Sequence, residues 1–372
     1  MNEDKASRYH RLKHRSAFLS GALSAGLLLL LLVTGASAAL RDVAMSISRG
    51  APGSLGTVAV YALGLVVLEE TIGLPLLFYR SFLLDRRYEL SSEPLSLWLA
   101  DHLKAVALSL LFAIAGALLV YDLLSASPEW WWLMSALVFM AVTGALAKIA
   151  PLVLLPMFYT FTPLDRESLR ERLVALSKRA GVPVLDVYEW ALGEKTRRAN
   201  AALVGTGATR RIIISDTLLS QFSDDEIEVI LAHELAHHVH RDILKSLVLE
   251  FVLLLGSFYV ASLALSARWH ALGLVAPEDV AGLPLLLMAG VMTMFIATPF
   301  VNALSRRHER RADRYALELT RQPAAFISAM RRLAAQNLAE EHPSNLALWL
   351  FHSHPSIEQR IAAARDLKFA ES

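Results

Sequence analysis

The chain of 372 residues contains no cysteine. Disulfides, thiolate metal ligands, cysteine nucleophiles and S-acylation are excluded, so any metal must be held by nitrogen and oxygen. Charge is also scarce. Asp, Glu, Lys and Arg make up 19 % of the residues and the net charge is +1. A chain so close to neutral lacks the basic excess that a nucleic-acid partner demands, and none is expected. There is no internal repeat and no low-complexity linker.

What is abundant is apolar: 55 % of residues are hydrophobic, more than an ordinary soluble protein carries. Six stretches, near 17–39, 56–79, 104–125, 129–157, 245–266 and 281–304, are long enough to cross a bilayer. The first follows a basic start and closes on Ala36-Ser37-Ala38, the pattern of a cleaved signal. Its length and the spans behind it favour a retained span. Pro151 and Pro156 predict a bend or break near the end of the fourth. Lys5, Arg8, Arg11, Lys13 and Arg15 precede the first span, and Arg80, Arg86, Arg87 and Lys104 flank the loop after the second. The alternate loops carry only Arg41, Arg49 and Arg268, which predicts both termini on the cytoplasmic side. Trp130, Trp131 and Trp132 suit an interfacial belt where the fourth span begins.

Residues 160–244 are much more polar. They read as a helix over 164–180, short β segments at 184–191, 200–204 and 211–215, then a helix over 224–240. Two regions are therefore expected: a membrane domain at 1–160 with four spans, and a second domain at 161–372 holding two spans and a C-terminal helical segment.

The 224–240 helix carries the most informative five residues, His233-Glu234-Leu235-Ala236-His237. Histidines four apart on a helix project from one face, so both imidazoles can reach one metal ion. A divalent ion held this way acidifies water, and Glu234 stands beside it as a base. Ser223 supplies an N-cap, acidic Asp224-Asp225-Glu226 follow, and no Gly or Pro interrupts the helix. A third protein ligand is still needed. Downstream, Asn302, Ser305 or Arg306, Glu309 and Asp313 form a single stripe on a helix. Glu309 can reach the metal, while Asp313, one turn on, can accept from the far nitrogen of a ligand histidine. The bland alternative is a solvated charged face, since Arg306, Arg307, Arg310 and Arg311 surround these carboxylates.

These residues resemble the zinc metallopeptidases of the CAAX prenyl protease type 1 family and the related bacterial heat-shock membrane proteases. That group pairs His-Glu-x-x-His with a later Asn-x-x-Ser-Arg-x-x-Glu-x-x-Ala-Asp, and every fixed position is present from Asn302 to Asp313. Asn200-Ala201 to Gly205, the strand from Arg211, and Ser353-His354-Pro355 also look like family segments. The segment Leu192 to Arg198 departs from the family's Ser-Lys-Arg. The resemblance implies one Zn2+ per chain held by His233, His237 and Glu309. It makes Glu234 the catalytic base, with Asp313 and Asn302 supporting the ligands. His354, then Arg360, are its candidates for stabilising the oxyanion. Asn200 with Ile212, Ile213 and Ile214 is expected to form an edge hairpin that binds the substrate backbone as an added strand, the alternative being a purely structural hairpin.

The expected fold is mainly α. It is a polytopic membrane bundle or α-barrel of about six transmembrane helices, with a cytoplasmic zincin-like α+β catalytic domain carrying a small β-hairpin or sheet. The expected function is hydrolysis of membrane-associated polypeptides, with a peptide or protein substrate and the lipid bilayer as partners. The Ala- and Arg-rich composition suggests a bacterial inner membrane, with the site on the cytoplasmic side. A sensor-transducer protease is one alternative, for which the outer loops are short. A scaffold or transporter with a vestigial site is another.

Overall fold

The structure, a computed structural model, describes residues 5–340 and 343–367. Of the second expected domain, 341–342 and 368–372 lie outside the described residues, as do 1–4 of the first.

Helix α1 runs from Lys5 to Val33 and α2 from Ala36 to Ser48. The first apolar stretch was expected to continue to 39, but Gly35 adopts φ +74 and turns the chain. The left-handed conformation that glycine tolerates ends one helix and starts the next. Helix α3 (Leu55–Phe78) passes through a π turn at Tyr79–Leu83 into the short α4 (Leu84–Arg87). Helices α5 (Leu95–Ala126) and α6 (Trp131–Val153) follow. Beyond α6 a 3-10 turn at Leu155–Met157 takes over, since Pro156 cannot donate to a continuing helix.

The polar region holds β1 (Phe161–Pro163), α7 (Glu167–Arg179), β2 (Val187–Trp190), β3 (Ala201–Val204), β4 (Arg211–Ser215), α8 (Asp216–Gln221) and α9 (Asp224–Val239). The chain then returns to apolar helices, α10 (Asp242–Arg268) and α11 (Leu283–Thr320), and closes with α12 (Pro323–Gln336), α13 (Asn345–Phe351) and α14 (Ile357–Asp366). Six helices among the described residues are long and apolar enough to cross a membrane. Their outer faces carry large exposed apolar side chains, such as Phe295 (62 %), Ile296 (63 %) and Phe300 (70 %) on α11. A run of that kind suits hydrocarbon rather than water. At one end of the bundle a buried Arg41–Asp279 ion pair at 2.5 Å joins α2 to the loop before α11.

The sheet order is β1-β2-β4-β3, with β2 parallel to β4 and the other pairs antiparallel. The expected hairpin is present at the edge of the sheet as β3 paired with β4, but only β3 is an edge strand. Ile212, Ile213 and Ile214 lie on the central strand, where β2 and β3 take the main chain from both sides, and all three side chains are buried. The edge strands are β1 and β3, and β3 packs beside α9. Asn200 is exposed just before β3, and its backbone exchanges hydrogen bonds of 2.9 Å with Ser215.

Behind the sheet, Leu169, Leu173 and Leu176 of α7, Ile212 and Ile214 of β4, and Phe326 of α12 enclose one face of α9. Burying each such side chain contributes roughly 1.5–3 kcal/mol, enough to hold α9 rigidly.

Candidate active site

Helix α9 begins with a reciprocal cap: the Ser223 hydroxyl accepts from the Glu226 N–H at 3.3 Å, and Glu226 accepts from the Ser223 N–H at 2.8 Å. Such a box satisfies two otherwise unpaired donors at the positive helix end. Glu226 also accepts from Ser328 of α12 at 2.5 Å, and the buried Glu228 pairs with Arg172 of α7. The helix is thereby fixed before its chemistry begins.

One turn apart on α9, the rings of His233 and His237 are 5.0 Å apart and nearly perpendicular, at 85°. Helix α11 is continuous from the apolar stretch into the polar region, and it delivers Glu309 between them. His233 Nε2 lies 3.2 Å from Glu309 Oε2, and His237 Nε2 lies 3.4 Å from Glu309 Oε1. Ligands bound tetrahedrally at zinc distances stand about 3.3 Å from one another, so two nitrogens and a carboxylate already have ligand spacing. Among the described residues this is the group whose donor atoms, all within 4.8 Å of one another, could hold a metal ion. The donor set of two imidazoles and a carboxylate fits zinc with a position left open.

Each imidazole is backed on its far nitrogen. His233 Nδ1 is 2.9 Å from Asp313 Oδ1, as the α11 stripe suggested. His237 Nδ1 is 3.1 Å from Asp242 Oδ2, a partner the sequence reading missed. Asp242 opens α10 just past Arg241, whose φ of +56 breaks the chain between α9 and α10. The signal available was an acidic residue five positions beyond the second histidine. Such partners fix the tautomer and ring orientation. Burial raises the Glu309 carboxyl, but hydrogen bonds from His233, His237 and His354 outweigh it and hold it well below the carboxylate range. Burial raises Glu234, with His233 and His237 partly offsetting it.

His354 Nδ1 lies 2.7 Å from Glu309 Oε2, which brings this sequence candidate to the group. Its segment is held by Arg306, which donates to the Leu348 and His352 carbonyls, both at 2.7 Å. Asn302 does not support a ligand as expected. Its amide donates to the Trp349 carbonyl at 3.1 Å, two turns up α11 from Glu309, so it too pins α13. Arg360 is likewise placed differently. Its Nε and Nη2 grip Asp313 at 2.8 and 2.5 Å, and Nη2 stands 3.4 Å from His233 Nδ1. The guanidinium is therefore behind His233, on the side away from Glu309. Asn200 and Ile212 to Ile214 are not drawn into the cluster.

Residues 163–368 match the model of peptidase family M48, and residues 2–160 match "CAAX prenyl protease N-terminal, five membrane helices". An uncharacterized metalloprotease, YhfN, of Bacillus subtilis is 31 % identical over 96 % of this chain and 84 % of its own length. CAAX prenyl protease 1 of Saccharomyces cerevisiae is 28 % identical over 80 % of this chain and 69 % of its own length. In fold the chain is similar to the crystal structure of S. mikatae Ste24p, with a TM-score of 0.83 at 21 % identity, covering 97 % of this chain and 87 % of that one. With the family model spanning more than half the chain and a relative aligned along nearly all of it, the protein belongs to peptidase family M48 and is a multi-pass membrane metalloprotease.

Proposed function

We propose that the protein is a zinc endopeptidase that cuts membrane-associated polypeptides at the cytoplasmic rim of a bacterial inner membrane. In this reading residues 1–160 form the membrane domain and 161–372 the catalytic one. The observation that carries it is the convergence of His233, His237 and Glu309 at ligand spacing, with each imidazole backed by its own carboxylate. Zinc held there supplies Lewis acidity, polarising the scissile carbonyl and easing deprotonation of water.

The protein's own groups do the rest. Glu234 takes the proton of the attacking water and passes it to the leaving amine. His354, more than half exposed beside Glu309, donates to the developing oxyanion. Asp313 and Asp242 hold the ligand imidazoles in one tautomer, and Arg360 neutralises Asp313, acting as a positioning residue. A substrate strand adds to the free edge of β3, where main-chain hydrogen bonds admit varied sequences. The basic residues around the first and second spans support the cytoplasmic orientation.

Glu234→Gln is the direct test. Turnover should fall by about 10²- to 10⁴-fold, the contribution of a positioned base, while the metal at His233, His237 and Glu309 is kept. Undiminished proteolysis would remove Glu234 from the mechanism, and a scaffold would show no proteolysis in either form.

A further inference from the structure

The short helix α13 leaves large apolar side chains uncovered by the described residues. Its sequence, Asn345 to Phe351, carries no charge. Leu346, Trp349 and Leu350 fall at i, i+3 and i+4 and so share one face. On that face Leu346 is 70 % exposed and Trp349 58 %, an arrangement that water does not favour.

Contacts on two sides fix where α13 lies. On one side Asn302 donates to the Trp349 carbonyl at 3.1 Å, and Arg306 donates to the Leu348 and His352 carbonyls at 2.7 Å. On the other, the Phe351 ring stacks on His14 of α1, with centroids 4.4 Å and planes 11° apart. Asn302 stands at the end of the last apolar stretch, and His14 just before the first begins. Helix α13 thus bridges two spans at the level where hydrocarbon gives way to headgroups. Its uncovered face adjoins side chains already turned toward lipid: Phe300, two residues before Asn302, and Phe18, one turn after His14, are both exposed. Arg15, next to His14, and Arg310, one turn past Arg306, are exposed as well, and cations at this depth suit anionic headgroups.

We propose that α13 is an interfacial anchor that sinks Leu346 and Trp349 into the bilayer surface and thereby steadies the segment that brings His354 to Glu309. Lipid is the occupant this face fits, because it continues an outer surface that the spans already give to hydrocarbon, and an indole is at home at that depth. The tie to the site is short. The pinned His352 carbonyl is two residues from His354, whose Nδ1 is 2.7 Å from Glu309. That tie rests on reading His354 as the oxyanion donor; the lipid contact does not.

The absence of native cysteine makes the test direct. Leu346→Cys and Trp349→Cys, each in the full-length protein, are labelled with a nitroxide and reconstituted in vesicles of phosphatidylethanolamine and phosphatidylglycerol. Neither change touches the main-chain carbonyls that hold α13, and retained zinc content reports that each variant is folded. Paramagnetic resonance then compares accessibility to oxygen, which partitions into lipid, with accessibility to a water-soluble nickel chelate. Both sites should favour oxygen several-fold more than Arg314→Cys on the water-exposed part of α11, and approach Phe300→Cys on its apolar face. A ratio like that of Arg314→Cys would place α13 in water and overturn the proposal. Low accessibility to both reagents would overturn it too, since the face would then be covered by protein. In the same vesicles Trp349→Glu should lower kcat, at most by the about 10²- to 10³-fold that an oxyanion donor supplies, with metal retained. An unchanged kcat would sever the link to His354. Absence of proteolysis from every form would count against the peptidase reading alone, and the accessibility ratios would still decide where α13 lies.

Discussion

The two carboxylates behind the ligand imidazoles differ in what else they neutralise, and their alanine variants should therefore fail in different ways. Asp313 backs His233 and also pairs with Arg360, whose side chain is 11 % exposed. Asp242 backs His237 and pairs with Arg311, whose side chain is 38 % exposed. Removing either backing group should weaken metal binding by about 10- to 100-fold, or roughly 1.4–2.8 kcal/mol. Asp313→Ala additionally leaves a buried guanidinium unpaired, which costs about 3–5 kcal/mol of folding stability. Asp242→Ala leaves Arg311 to water, and the added cost should stay under about 1 kcal/mol. Chelator competition for zinc, run beside thermal unfolding in the same detergent, separates the two. Metal affinity should drop in both variants, with a large loss of stability in Asp313→Ala alone. Equal destabilisation, or unchanged metal affinity in Asp242→Ala, would refute the assignment of Asp242.

Other consequences are open to simple assays. His354→Ala should lower kcat by about 10²- to 10³-fold with metal content intact, because the side chain lies outside the ligand set. An equal loss of bound metal would make it structural instead. Chelation should abolish proteolysis and added Zn2+ should restore it. Reporter tags placed in 40–55 and in 162–222 should lie on opposite faces of the membrane, and finding both on one face would contradict the orientation.

Much of the site was legible because it is local. The period of a helix puts His233 beside His237, and the same period sets Glu309 and Asp313 one turn apart, while the family resemblance singled them out as candidate ligands and a backing carboxylate. The apolar stretches announced six spanning helices for the same reason. What escaped depends on chain reversals. Asp242 reaches His237 only because Arg241 adopts a left-handed conformation between two helices. The parallel pairing of β2 with β4 joins strands separated by β3, which is why a hairpin that reads as an edge buries Ile212 to Ile214 at the sheet's centre. Asn302 and Arg306 belong to the same motif as Glu309, yet they serve α13, because the continuous helix α11 carries them two turns and one turn away from the metal group.

Diffraction from crystals of the purified protein at wavelengths flanking the zinc absorption edge tests the central claim most directly. One anomalous peak should lie among His233 Nε2, His237 Nε2 and the Glu309 carboxylate, at about 2.0–2.2 Å from each. A metal-free protein, or zinc bound without Glu309, would contradict the account.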